Sequence, residues 1–247
     1  MRPRLALVVV ALAVLPWSAS PRAEAPLDRA RDLLARYHED RTRIDQARDL
    51  LEAELRQERR AETLVLLSRT YFLLGDVRAT TADEKLAAYA RGRELGQRAV
   101  ELAPRSEEAH VWYAINTGRW GQTKGVMRSL FLLPTVREEL DIIFSLNPRS
   151  VRGHALAGNV FFEVPGLLGG DRKKAEEHYR KALEIDPRFS VVRVDLARLL
   201  IASGRQAEAR RQLTRVIGET APSDPAGWAV KDLPRARQLL ESIKGGE

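Results

Sequence analysis

Apolar residues recur at steps of three and four along most of the chain, the period of a helix with one buried face. The first run is Leu27, Ala30, Leu33 and Leu34, followed by Tyr37, and the second is Ile44, Ala47, Leu50, Leu51 and Leu55. Asp40 or Thr42 is placed to cap the second helix. Residues 26–58 thus read as an entry hairpin covering the end of a stack. A helix is predicted over 61–74, with Leu64, Leu67, Tyr71 and Leu74 facing inward and Gly75-Asp76 ending it. Its partner spans 83–102 and is closed by Pro104. Residues 107–117 carry Val111, Trp112, Tyr113 and Ala114, and a helix over 135–146 answers them with Val136, Leu140 and Ile143 before Pro148. The last predicted helix, 232–243, has Asp232 as a cap, Pro234 in its first turn, and Leu239, Leu240 and Ile243 docking back.

Between 150 and 217 the pattern repeats in one register. Gly158 and Phe161 are followed by Ala175, Tyr179, Ala182 and Pro187; then come Ala197, Leu200, Ala209, Leu213 and Val216, with Pro222 one place late. Small residues sit where two helices must touch, and proline stops the second helix. Ala175, Ala182, Pro187, Ala197 and Ala209 give this stretch a pattern that resembles the tetratricopeptide repeat. The expected fold is all-α, a solenoid of helical hairpins with four repeats over 61–222, a C-terminal helix within 228–247, and one domain over 26–247.

Successive terminal prolines are 44, 39 and 35 residues apart, against a tetratricopeptide period of 34. The surplus falls between the two helices of each hairpin. Insertions at equivalent corners of stacked repeats are expected to project from one edge, where binding residues tend to sit. The second corner contains Gly118, Arg119, Trp120, Gly121, Lys124 and Gly125. Trp120 offers a flat apolar surface, and Arg119 and Lys124 can hold an anion. The apolar stretch 126–134 after it reads either as a short extra helix folded onto the stack or as a groove wall. The order of Gly, Lys and Ser/Thr is wrong for a phosphate-binding loop. In the third corner Asp171 is placed to cap the next helix, and Leu167 and Leu168 face either the core or a ligand. The candidate binding residues are therefore Trp112, Arg119, Trp120, Lys124, Phe131 and Leu168.

Composition narrows the chemistry. The 247 residues contain no cysteine, which excludes disulfides, thiol catalysis and a lipid-modified cysteine. Arg2 and Arg4, the apolar run Leu5 to Leu15, Pro16 and Ala23-Glu24-Ala25 have the layout of a secretory signal over 1–25; an uncleaved anchor is the alternative. A periplasmic or otherwise exported protein is expected from that signal. The formal net charge is +7, but basic and acidic residues interleave on helical faces, as in Arg172-Lys173-Lys174-Ala175-Glu176-Glu177. That reads as solvated helix surface rather than a nucleic-acid interface.

Trp112-Tyr113-Ala114, the Gly118 to Gly125 corner with Lys124-Gly125, and Pro165-Gly166, Gly169-Gly170-Asp171 with Lys174-Ala175 carry a narrower resemblance. Over roughly 45–220 the chain resembles the T component of tripartite ATP-independent periplasmic (TRAP) transporters. The resemblance implies a periplasmic helical-repeat protein that oligomerises, meets the transporter's solute-binding subunit and has an apolar cleft for a hydrophobic small molecule. It supplies no catalytic residue, and the chain lacks the cysteine of the lipid-anchored form.

Nothing in the residues selects a reaction. His38, His110, His154 and His178 lack zinc-ligand spacing, and no His-Glu-x-x-His or Gly-x-Ser-x-Gly is present. His110 and His154 each lie six residues after a terminal proline, which favours a repeat-packing role, and His178 reads as solvated or salt-bridged. A non-catalytic exported protein without metal or cofactor is expected. It would bind a protein partner and a hydrophobic or organic-acid ligand; a periplasmic assembly scaffold without a small ligand is the alternative.

Overall fold

The computed structural model describes residues 24–243. Except for Glu24 and Ala25, the expected signal over 1–25 lies outside them. Every regular element among the described residues is helical. The entry hairpin is α1 (Glu24–Ala35) and α2 (Arg43–Gln57); four hairpins follow as α3 (Ala61–Leu73) with α4 (Ala82–Leu102), α5 (Glu107–Lys124) with α6 (Val126–Leu146), α7 (Val151–Glu163) with α8 (Arg172–Ile185), and α9 (Ser190–Ala202) with α10 (Gln206–Ile217). A single turn, α11 (Pro225–Gly227), runs through a π-turn over Trp228–Asp232 into α12 (Leu233–Ser242). The hairpin helices pack pairwise, and α3, α5, α7 and α9 line one side of the stack, α3 against α5, α5 against α7 and α7 against α9. This is the expected helical-hairpin solenoid.

The repeats start alike because their sequences place equivalent groups at equivalent positions. Ser106, Ser150 and Asp224, each two residues after a terminal proline, cap α5, α7 and α11 by accepting a backbone N–H. Six residues after the proline, His110 Nε2 and His154 Nε2 lie 3.0 and 3.2 Å from the Pro104 and Pro148 carbonyl oxygens, and Arg193 donates to Pro187 O at 2.6 Å. The matching histidines therefore tie one hairpin's exit to the next one's entry. His110 also bonds Glu139 at 2.5 Å, buried between α5 and α6.

Several expectations need correction. The first two surplus corners are not loops. Residues 74–78 continue α3 as a π-turn, and α4 begins at Ala82. In the second hairpin α5 runs to Lys124 and α6 starts at Val126, turning on Gly125 alone, whose φ of 118° a side chain would resist. The surplus residues of this second hairpin lengthen its helices because packing of α5 on α6 outweighs the breaking tendency of Gly118, Gly121 and Pro134. Segment 126–134 is the first part of α6, continuous through Pro134. Gly121 allows this: a β-carbon there would lie 3.1 Å from Ser129 Cα, so α5 and α6 approach backbone to backbone. Only the third corner stays short and irregular, with Asp171 capping α8 through Lys173 N and Lys174 N. Asp232 does not cap α12; it is buried and accepts from Ser190 Oγ at 2.5 Å. His178 is not solvated: it is half-buried, between the rings of Phe144 and Phe161, with Nδ1 2.9 Å from His154 Nδ1. Burial pushes both imidazoles below their ordinary value.

Candidate functional site

The side lined by α3, α5, α7 and α9 carries the most unusual chemistry in the fold. Residues 63–74 contain one charge, Arg69, and residues 150–162 contain one formally charged residue, Arg152. Helical periodicity turns both toward the centre, where they meet Trp112 of α5: Arg69 Cζ lies 5.9 Å and Arg152 Cζ 5.2 Å from its ring centre. Arg152 also lies 5.3 Å from the Phe189 ring, and Arg119 5.9 Å from that of Phe72. Phe72 and Trp112 are themselves 5.6 Å apart. Guanidinium groups on aromatic faces keep their charge at low desolvation cost. Among the described residues, Arg69, Arg119 and Arg152 have no carboxylate within 4 Å, whereas Arg78 and Arg198 do.

The electrostatics follow from this crowding. Burial first, and the neighbouring Arg69 second, push the Arg152 guanidinium below its ordinary value; Asp224, Glu108 and Asp186 act the other way from further off. Burial pushes Asp232 up to about 6, opposed by the Ser190 hydroxyl and Lys231. Burial likewise raises Asp195, against the pull of Arg198, Arg235 and Arg119. Trp112 Nε1–H is buried without an acceptor, which leaves one donor to be satisfied by a ligand or water. A cleft of about 320 Å³ opens beside this ring, lined by Arg31, Glu62, Arg69, Ser106, Glu108 and Trp112. A second cleft, about 380 Å³, lies between α2 and α4. Two of its arginines, Arg91 and Arg98, are paired with Glu94, while Arg56 and Arg59 form no ion pair among the described residues; no aromatic ring lines it.

The C-terminal segment crosses to the first repeats. Lys231 forms an ion pair with Asp76 at the end of α3, Ala226 is buried in the core formed by α1 to α5, and Val230 packs against that core.

The six candidate residues fall in two places. Trp112 and Arg119 belong to the inner site. Trp120 is half-buried and flanked by Arg93 and Arg128 at 5.9 and 5.7 Å. Lys124 ends α5 in solvent, Phe131 is exposed on α6, and Leu168 is exposed at the α7–α8 corner. Sequence reasoning missed Arg69, Phe72, Arg152 and Lys231. A lone charge inside an otherwise uncharged helical run was the available signal for Arg69 and Arg152. No group of three metal-ligating side chains exists among the described residues.

Comparison with known proteins adds to this picture. The profile of a family described as "Regulator of microtubule dynamics protein 1-3" matches residues 27–176, and a tetratricopeptide repeat profile matches 167–233. The chain is 26% identical over 209 residues to regulator of microtubule dynamics protein 3 of Mus musculus, covering 77% of this chain and 44% of that protein. It is 25% identical over 146 residues to regulator of microtubule dynamics protein 1 of Bos taurus, covering 52% and 45%. The chain thus spans less than half the length of these relatives. The solved structure of TTC0263, a thermophilic tetratricopeptide protein of Thermus thermophilus, superposes with a TM-score of 0.66 at 24% identity, over 90% of this chain and 98% of that one. That likeness bears on the fold alone.

Proposed function

The chain belongs to the family of regulator of microtubule dynamics proteins 1-3, and from its inner face we infer that it is a non-catalytic scaffold that takes an acidic segment of a protein partner against Arg69, Arg119 and Arg152. The single observation that carries this reading is the set of three arginines laid on Phe72, Trp112 and Phe189 without a carboxylate in reach. Partly buried charge without a direct ion pair is a place where a counter-ion can arrive from outside. The rings supply apolar contact around it, and the free Trp112 Nε1–H supplies a directional donor.

The relatives are named for regulating microtubule dynamics, and their whole-protein activities come to this chain only as far as its shorter length allows. The regulator profile falls on much of the stretch on which the expectation of a TRAP T component rests, and it points to a different family. A solute-binding subunit, or an organic acid bound through its carboxylate, enters as a narrower version of the same anionic-ligand reading. Export through residues 1–25 is part of the proposal and is tested by the N-terminus of the protein purified from its native host.

The binding proposal is tested by fluorescence anisotropy with a labelled glutamate-rich peptide. Wild type should bind it in preference to a neutral peptide of equal length, with affinity falling as salt rises. Arg152→Gln should weaken it about tenfold or more, the loss of one charge-assisted contact. Equal affinity for both peptides, or for both proteins, would overturn the reading.

A further inference from the structure

Of the six large apolar side chains that remain exposed among the described residues, five cluster at two corners: Val126, Met127 and Phe131 where α5 turns into α6, and Leu167 and Leu168 between α7 and α8. Met127 is 81% and Phe131 73% exposed, and Leu167 is fully so. The corners are neighbours. Arg137 of α6 donates to Leu168 O at 3.1 Å, and it follows Phe131 by six residues, about 9 Å of helix rise.

Charge at these corners is predominantly positive. No acidic residue occurs from 109 to 137. Lys124, Arg128, Arg137, Arg172, Lys173 and Lys174 lie on the segments that carry or adjoin the apolar tips; Arg137 donates to Leu168 O, Arg172 to Ala202 O and Lys174 sits over Phe161, and among the described residues none of the six has a carboxylate within 4 Å. Of the nearby acids, Asp171 is engaged by backbone N–H groups of α8 and Glu163 by Arg198, while Glu138 adjoins Arg137. Arg128 lies over both Trp120 and Phe131, at 5.7 and 5.6 Å, so its charge stands beside the apolar tips.

We propose that this double corner docks the protein peripherally on an anionic lipid bilayer, with Met127, Phe131 and Leu167 entering the interface and the six cations meeting lipid head groups. Separate protruding apolar tips suit a fluid interface, which closes around each one, whereas a rigid protein partner needs a complementary hollow for each. A second copy of the chain would set like charge against like charge. Exposed aromatic and aliphatic side chains gain free energy on entering the acyl boundary, and each cation near an anionic surface adds electrostatic attraction. No helix among the described residues is long and apolar enough to span a membrane, so the attachment these residues offer is interfacial.

Co-sedimentation of the full chain with vesicles tests this. It should pellet with phosphatidylcholine vesicles containing phosphatidylserine and stay in solution with phosphatidylcholine alone, and rising salt should release it. Phe131→Asp with Leu167→Asp, and separately Arg128→Glu with Lys173→Glu, should each lower the partition coefficient about tenfold or more. All four positions are exposed, so the thermal melts should match wild type. Trp120 emission should shift to the blue on vesicle binding in wild type only. Partition equal on neutral and anionic vesicles, or unchanged in both variants, overturns the proposal. So does concentration-dependent self-association that the variants abolish while vesicle binding is absent. Binding of the glutamate-rich peptide should be unaffected by these variants, which separates failure here from failure of the inner-face reading.

Discussion

A β-carbon on Gly158 would lie 2.4 Å from the Tyr179 ring, which is fully buried and donates to Asn159 Oδ1 at 2.7 Å. The glycine is there because the ring of the second helix fills the place of its side chain. Gly158→Ala should therefore destabilise the third hairpin: forcing the ring aside costs about 1–3 kcal/mol, and better helix propensity returns at most about 1. A melting temperature equal to or above wild type would contradict the packing described. Asp232 offers a second residue-scale test. Its folded value of about 6 lies above the ordinary 3.8, so the ionised form is the disfavoured one in the fold. Its contribution to stability is full below pH 4 and is lost as pH rises through 6. Between pH 4 and 7, wild type should lose about 2–3 kcal/mol relative to Asp232→Asn. Parallel stability curves for the two proteins would show that burial does not penalise this carboxylate.

At the scale of elements, α6 is where periodicity and punctuation disagree. Pro134 and the glycines around 118–125 argue for breaks, while Leu132, Val136, Leu140 and Ile143 keep a helical register across the proline and are all buried. Packing against the lengthened α5 won, and the proline remains as an interior residue of a 21-residue helix. Restoring the missing N–H by Pro134→Ala should raise stability by about 1–3 kcal/mol in urea unfolding. A neutral result would mean that the helix is broken there. Helix positions, the terminal prolines, the Asp171 cap and the repeat role of His110 and His154 were legible because each rests on local spacing. The inner site was not, because Arg69 and Arg152 are 83 residues apart and only stacking brings both onto Trp112. Asn116 was missed for the same reason: its Nδ2 donates to Ser68 O at 3.0 Å across two repeats.

Over the whole molecule, two surfaces divide the work proposed for it. The inner face gathers arginines from α3, α5 and α7 around one tryptophan, and the C-terminal segment is held across to the first repeat by the Lys231–Asp76 ion pair. The corners of the second and third hairpins carry the exposed apolar tips and their cations. The expected gathering of candidate residues at one place becomes two places because α5 is long: Trp112 and Trp120 are eight residues apart on it, about 12 Å along its axis. The central claim, that the inner arginines receive an acidic segment, is met most directly by photo-crosslinking with a glutamate-rich peptide carrying a photoactivatable group. Sites are read by mass spectrometry. The account predicts crosslinks on α3, α5 and α7 near Arg69, Trp112 and Arg152, suppressed in Arg69→Gln with Arg152→Gln; crosslinks confined to residues 124–131 and 166–174, or undiminished in that variant, would contradict it.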